Sequence, residues 1–168
     1  MITIFKSPNA DSRSAKIPLT IGVLRKSTVS HIKDVEKGLN FLSLLLQDRG
    51  KHHDHTKMEN MEDFCNALNS GKIKESEWYQ KHITEERHHL KSNVPDDVNL
   101  IDVIEHLTDC TMAGLTRSGE IYDIDIPIET LQLAVQNTVE LLKNNIKVLD
   151  PEEDNNEDND LLTENIDD

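Results

Sequence analysis

Residues 27–50 read STVSHIKDVEKGLNFLSLLLQDRG and decide the fold class. Apolar residues recur at Val29, Ile32, Val35 and Leu39 and continue to Leu46, which is the three-and-four spacing of an amphipathic helix. Ser27 and Thr28 offer a helix start, and the glycine at position 50 offers a stop. The stretch therefore predicts a helix of about six turns, and with it an all-α fold.

Similar patterns follow along the chain. They predict helices over 59–69, 75–89 and 97–117, and a last helix over 128–149. Residues 1–26 contain two short β-leaning runs, Ile2–Phe5 and Leu19–Leu24, which indicate an extended arm or a small hairpin. We expect a single domain with three parts: an arm over 1–26, a helical bundle over 27–149 and an acidic tail over 150–168.

The charge is concentrated in that tail. Of the net charge of −14, the ten acids of residues 150–168, where Lys and Arg are absent, carry −10 and leave −4 on the rest. With three aliphatic residues, the tail is expected to be disordered and solubilising. A mildly acidic domain without a basic stripe argues against binding to long nucleic acids.

The predicted compartment is the cytoplasm. The two cysteines, Cys65 and Cys110, are far apart in sequence and suggest neither a disulfide framework nor a Cys-based zinc site. The longest apolar run is far shorter than the roughly 20 residues of a membrane span. We expect no membrane partner. The apolar helix stripes serve a single core or, alternatively, a homodimer surface.

Six of the eight histidines fall between His52 and His89, interleaved with carboxylates. Imidazole and carboxylate ligands together suit Mn, Fe, Co, Ni or Zn better than a hard, all-oxygen ion site. Each histidine taken singly is equally compatible with a solvated surface. The spacing favours a site, because His31, the His53-Asp54 pair and the carboxylates of a later helix lie in separate segments that can converge.

The order of His31, His53-Asp54-x-x-Lys57 and a later Glu105-x-x-x-Asp109 resembles the HD superfamily of metal-dependent phosphohydrolases. More closely, HIKDVEKGLNFL, KHHDHTK, ERHHL and DVNLIDVIEHLTDCTMAGLTRSG resemble an uncharacterised HD-related family of bacteria and tailed phages, over about residues 11–149. The resemblance implies an HD-type helical bundle that holds one or two divalent ions of uncertain identity, Mg included, in a bacterial or phage-infected cell.

The resemblance also implies roles for residues. The metal ligands would be His31, His53, Asp54 and Asp109, and a second ion would use His82 with His88 or His89. Asp102 and Glu105 are the alternative carboxylates. Catalysis would fall to Asp54 and Lys57, and substrate phosphate would be held by Lys57, Arg87 or Arg117. Arg117 has an alternative explanation, because a cation near a helix C-terminus is favourable in itself. Trp78 and Tyr79 could stack on a base, but they are more readily explained as core residues.

The expected function is hydrolysis of a phosphate ester of a nucleotide or similar small phosphorylated metabolite. A di-iron oxygenase is the first alternative, and it requires His82 and one of His88 and His89 as true ligands. The second alternative is a non-catalytic protein in which the metal site is a relic and the acidic tail binds a partner.

Overall fold

The computed structural model describes residues 1–7, 18–91 and 93–150. The expectation for the acidic tail lies outside these residues, except at Asp150, and part of the expectation for the N-terminal arm lies outside them too. The described residues divide into two compact units, one from 1–7, 18–36 and 146–150 and the other from 37–91 and 93–145. The described part is mainly helical, which confirms the broad all-α expectation, and it adds one two-stranded sheet.

The first unit contains that sheet. Strand β1, Ile2–Phe5, pairs in parallel with β2, Ile146–Leu149, in a register that places Ile2 opposite Ile146. The backbone pairing continues at Lys6, whose amide donates to Leu149 O at 2.8 Å. The expected hairpin between Ile2–Phe5 and Leu19–Leu24 is therefore wrong, because the first run pairs with the C-terminal strand and the second enters a helix.

Helix α1, Ile21–His52, extends past both predicted ends. Its start is capped by Thr20, whose hydroxyl accepts from Val23 N at 3.2 Å. Thr28, one of the two residues expected to begin the helix, instead donates its hydroxyl to Leu24 O at 2.9 Å within the helix. Val29, Ile32, Val35 and Leu39 are exposed, so the homodimer surface stays a prediction.

The second unit continues with short helices. They are α2 (His55–Glu59), α3 (Met61–Asn69), a 3₁₀ turn at Ile73–Glu75, and α4 (Glu77–Glu85). Ser76 caps α4 by accepting from Tyr79 N at 3.1 Å. Because α4 ends at Glu85, the expectation of a helix to His89 is wrong, and the two histidines of the pair 88–89 lie in the turns that follow.

Two longer helices complete this unit. Helix α5, Leu100–Ser118, starts at a capping box of Asn99 and Asp102 and ends at Gly119 in the left-handed conformation. Helix α6, Ile128–Asn145, packs on α5, and the Thr138 hydroxyl accepts from Leu100 N at 2.9 Å. The core between these helices and the preceding loop is formed by Leu90, Val98, Val103 and Ala134.

Candidate metal centre

The His53-Asp54 pair forms the turn between α1 and α2. Asp54 has φ 56° and ψ 28° and is the only non-glycine residue with positive φ among residues 1–7, 18–91 and 93–150. Aspartate tolerates this left-handed conformation better than most residues. Unusual backbone conformations of this kind concentrate at functional sites, and here the turn brings Asp54 between two groups of ligand-competent side chains.

The first group surrounds Asp54 Oδ1 and is called the inner cluster: Asp54 Oδ1 with the Nε2 atoms of His82, His88 and His89. Asp54 Oδ1 is 3.6 Å from His82 Nε2 and 3.7 Å from His88 Nε2, and His82 Nε2 is 2.9 Å from His89 Nε2. The oxygen is buried and has no hydrogen-bond partner. Ligand atoms of Asp54, His88 and His89 all lie within 4.8 Å of one another, so a single cation can contact them.

A hydroxyl network fixes the orientation of His82. The Thr56 hydroxyl donates to Glu86 Oε1 at 2.7 Å and therefore accepts from His82 Nδ1, also at 2.7 Å. The proton of His82 is thereby held on Nδ1, so its Nε2 accepts from His89 Nε2 at 2.9 Å and lies 3.6 Å from Asp54 Oδ1. Trp78 stacks on the same imidazole with ring centroids 4.8 Å apart. Neither Thr56 nor Glu86 is predicted from the sequence as part of the site.

The second group faces solvent and is called the outer cluster: Asp54 Oδ2, His53 Nε2 and Asp109 Oδ1. His53 Nε2 lies 3.4 Å from Asp54 Oδ2 and 3.5 Å from Asp109 Oδ1. Lys57 donates to the same Asp54 oxygen. Asp54 thus contributes one oxygen to each cluster, and the two clusters are adjacent.

Protonation differs between the clusters. Hydrogen bonds to Asp109 and then Glu105 raise the pKa of His53 to about 10, and the bond to His53 lowers the pKa of Asp109 to about 2. Burial, followed by the charges of His88 and His82, lowers the pKa of His89 to about 4. At neutral pH the outer cluster therefore carries a proton on its imidazole, whereas His89 of the inner cluster is neutral.

Asp102, the alternative carboxylate ligand, forms ion pairs with two arginines. Arg87 donates to both Asp102 oxygens at 2.8 Å, and Arg49 approaches one of them at 3.3 Å. Asp102 is completely buried, and its Oδ2 also accepts from Asn99 N at 3.0 Å. The same carboxylate raises the pKa of Arg87 above its ordinary value. Asp102 and Arg87 therefore form a structural ion pair, and neither belongs to the candidate metal groups.

Beside the outer cluster lies a cavity of about 710 Å³. Three cationic side chains line it, namely Arg49, Lys57 and Arg117. Arg49 and Lys57 have carboxylate partners, whereas Arg117 has none among the residues that the structure describes. The apolar part of the lining consists of Leu46, Ile104, Met112, Ala113 and Tyr122.

The loop after α5, at residues 120–122, packs beside this cavity because Gly114 has no side chain in its way. A Cβ at Gly114 would lie 2.4 Å from Glu120 O and 2.6 Å from Tyr122 N. The backbone of the loop therefore packs directly on the helix, with Tyr122 N donating to Cys110 O at 3.4 Å. This contact places the Tyr122 side chain in the cavity lining.

The structure brings together most of the residues predicted to bind metal. His53 contacts both Asp54 and Asp109 in the outer cluster, although Asp109 belongs to none of the candidate metal groups. In the inner cluster, His88 and His89 form a candidate group with Asp54, and His82 forms another with Asp54 and Glu86. His31 is exposed on α1 and belongs to none of the candidate groups, so its role as a ligand stays a prediction. Arg49 is not predicted from the sequence, since its ion pairs with Asp102 and Glu105 join α1 to α5 across more than 50 residues.

Comparison with protein-family models, curated proteins and solved structures returns no match for this chain. Within the described residues, no helix is both long and apolar enough to cross a bilayer. What is established is a mainly helical chain with groups of His, Asp and Glu that can hold a metal ion. The resemblance to HD proteins rests on the sequence motifs alone.

Proposed function

We propose that this protein is a metal-dependent phosphohydrolase that acts on a nucleotide or another small phosphorylated metabolite. The observation that carries the proposal is Asp54 Oδ1, a buried carboxylate oxygen without a hydrogen-bond partner, beside two imidazole nitrogens at 3.6 and 3.7 Å. Burying such an oxygen without a partner is unfavourable, and a cation bound between it and the imidazoles removes the penalty. The mixed nitrogen and oxygen donors suit Mn, Fe, Co, Ni or Zn.

The cavity supports a phosphate ester as substrate. Its volume lies within the usual range for small-ligand sites, which is roughly 300–1,000 Å³. Lys57 lies at the outer cluster and can bind the phosphate, and Arg117, which has no carboxylate partner within the described part of the chain, can bind a further anionic group. The apolar wall with Tyr122 suits a flat, partly apolar body such as a nucleoside.

The proposed reaction joins the oxygen of water to phosphorus and breaks the ester P–O bond. A bound divalent cation would acidify the water and neutralise charge on the phosphoryl oxygens. Asp54 Oδ2 accepts the water proton, and the Lys57 ammonium donates a proton to the departing ester oxygen. The proton on Asp54 then returns to Lys57 along the hydrogen bond that joins them. The products are an alcohol and inorganic phosphate, and both side chains recover their starting states.

The test is a screen of the purified chain, reconstituted with Mn²⁺, Co²⁺ or Zn²⁺, against nucleotides and generic phosphate esters. Asp54→Asn should abolish phosphate release, because it removes a ligand of both clusters and the proton acceptor. Asp63→Asn, at an exposed position on α3, is the matched control and should keep full activity. Activity that survives in the Asp54 variant would refute this site, and inactivity of the loaded wild type on every ester would refute the function.

A di-iron oxygenase is the second candidate, and the histidine content of the inner cluster favours it. Asp54 belongs to two candidate groups there, one with His88 and His89 and the other with His82 and Glu86, which is the imidazole and carboxylate supply that a pair of irons requires. Iron analysis after anaerobic reconstitution separates the two functions. Two irons per chain with oxygen consumption would support the oxygenase, whereas phosphate release with exchangeable Mn²⁺ or Co²⁺ would support the hydrolase.

A further inference from the structure

Glu105 occupies a position between the two clusters. It lies on α5 and is 8% exposed. Its Oε1 is 3.0 Å from His53 Nδ1 and 3.3 Å from His88 Nδ1. One carboxylate oxygen therefore faces the Nδ1 atoms of two imidazoles that come from different segments of the chain.

The opposite edges of the same two rings face Asp54. His53 Nε2 lies 3.4 Å from Asp54 Oδ2, and His88 Nε2 lies 3.7 Å from Asp54 Oδ1. The two rings are neighbours, with centroids 4.5 Å apart. Both are thus held between a carboxylate on the Nδ1 side and a carboxylate on the Nε2 side, and one ring belongs to each cluster.

The other oxygen of Glu105 is ion-paired but makes no hydrogen bond among the described residues. Arg49 Nε lies 3.3 Å from Glu105 Oε2, and Arg49 Nη2 lies 3.3 Å from Asp102 Oδ1. Asp102 is itself fixed by Arg87. Burial and the ion pair with Arg49 restrict the Glu105 carboxylate, and a restricted carboxylate orients an imidazole better than a mobile one.

Glu105 could also be a ligand, since its oxygen lies within 4.8 Å of nitrogens of His53 and His88. A cation at that point would use the Nδ1 atoms of both rings. It would leave Asp54 Oδ1 without a partner at the centre of the inner cluster. Ligation through Nε2 gives Asp54 Oδ1 a partner and keeps both Nδ1 atoms facing Glu105, which is hydrogen-bonded to His53 Nδ1 at 3.0 Å. His88 Nδ1 makes no hydrogen bond among the described residues, and Glu105 Oε1, at 3.3 Å, is the carboxylate oxygen positioned to accept its proton.

We propose that Glu105 is a positioning residue shared by the two clusters, which directs the Nε2 atoms of His53 and His88 at Asp54 and so makes both ion sites depend on one carboxylate. This inference rests on the metal centre of the proposed function. It predicts that a single change at Glu105 weakens both sites, although the residue binds neither ion.

The chain offers a matched control in Thr56. Thr56 orients His82 alone, through a hydrogen bond of 2.7 Å, and His82 belongs only to the inner cluster. Thr56→Val removes the hydroxyl at nearly constant volume. It should weaken the inner site and leave the outer site unchanged, whereas Glu105→Gln should weaken both. Loss of a residue that hydrogen-bonds to a metal ligand lowers metal affinity by about 10- to 100-fold.

The wild-type chain and both variants are titrated with Zn²⁺ alone, and calorimetry gives the affinities and the stoichiometry. Nuclear magnetic resonance of the Zn²⁺-loaded wild type then shows which imidazole nitrogens carry protons. The expected result is two ions per chain, both weakened in Glu105→Gln, with the protons of His53 and His88 on Nδ1. Loss of one site only in Glu105→Gln, or protons on Nε2, would overturn the inference while the metal centre stands.

The resonances of the wild type keep the inference falsifiable if Glu105→Gln does not fold. Absence of Zn²⁺ binding to the wild type would instead overturn the metal centre itself, and with it the proposed function. The two failures are therefore distinguishable, and neither readout depends on enzymatic activity.

Discussion

The two ion sites should respond differently to pH. His53, the imidazole of the outer cluster, has a pKa raised to about 10 by Asp109 and Glu105, so it must lose a proton before Nε2 can bind a cation. His89 of the inner cluster has a pKa lowered to about 4 by burial and by the neighbouring His88 and His82, so it is ready to bind at neutral pH. Raising the pH should therefore strengthen the outer site selectively.

The size of the effect follows from the pKa of His53. At pH 7 that group lies about three pH units below its pKa, which weakens the outer site by about 10³-fold, or about 4 kcal/mol, relative to the neutral imidazole. Affinity of the outer site should rise about tenfold for each pH unit from about pH 7 to about pH 9, and binding should release about one proton. The inner site should change little over the same interval.

Calorimetric titration with Zn²⁺ in buffers of different ionisation enthalpy measures both the affinities and the proton count. Lys57→Met is the control, because it removes the ammonium group that donates to Asp54 Oδ2 and leaves His53 in place. The proton count should stay near one in this variant. Equal pH dependence of the two sites, or a count near zero at neutral pH, would refute the assignment of the proton to His53.

Three further outcomes are expected. Gly114→Ala should lower the free energy of unfolding by about 1–3 kcal/mol, because the new Cβ would lie 2.4 Å from the Glu120 carbonyl oxygen. Thermal unfolding measures this change. Gly38→Ala is the control and should be neutral or stabilising, because no atom lies within 4 Å of the new Cβ. Glu105 and Asp109 both have pKa values lowered to about 2. Burial raises the pKa of Glu105, but the interactions with His53 and His88 outweigh it. The pKa of Asp109 is lowered by its hydrogen bond to His53. Their contribution to the stability of the metal-free protein is present above their ordinary pKa values and should be lost as the pH falls towards 2; denaturant titrations at decreasing pH would contradict this if stability stayed constant. Trp78, the only tryptophan, stacks on an imidazole of the inner cluster, so its fluorescence should change on Zn²⁺ binding at the inner site, and an unchanged spectrum at saturation would argue against that site.

The helices follow from local signals in the sequence, but their ends do not. The start of α1 had two adequate candidates, Thr20 and the Ser27-Thr28 pair, and serine and threonine stabilise a helix end or bond back inside a helix with similar ease. The predicted start of α5 at residue 97 is three residues early, because Asp96, Asp97 and Asn99 are all residue types that cap a helix start. The end is predicted to within one residue, because Gly119 is a clear helix stop. Helix capping depends on neighbouring residues, so a helix end can be predicted from the sequence where only one residue can supply the cap.

Strand β2 was missed for a different reason. Ile146 and Leu149 continue the helical spacing of α6, and nothing in the local sequence separates a last helical turn from a short strand. The strand exists through its pairing with β1 at the other end of the chain. A two-stranded parallel pairing between segments so distant in sequence leaves no local pattern.

The sequence alone determined the helical class and the residue types that can bind a cation, because helical spacing and ligand chemistry are properties of neighbouring residues. Only the tertiary structure decided that both His88 and His89 approach Asp54, that Asp109 and not Asp102 faces His53, and that Glu105 lies behind two imidazoles. These choices depend on where α4 ends and on which carboxylates the arginines occupy. Both are set by packing between segments that the sequence separates by tens of residues.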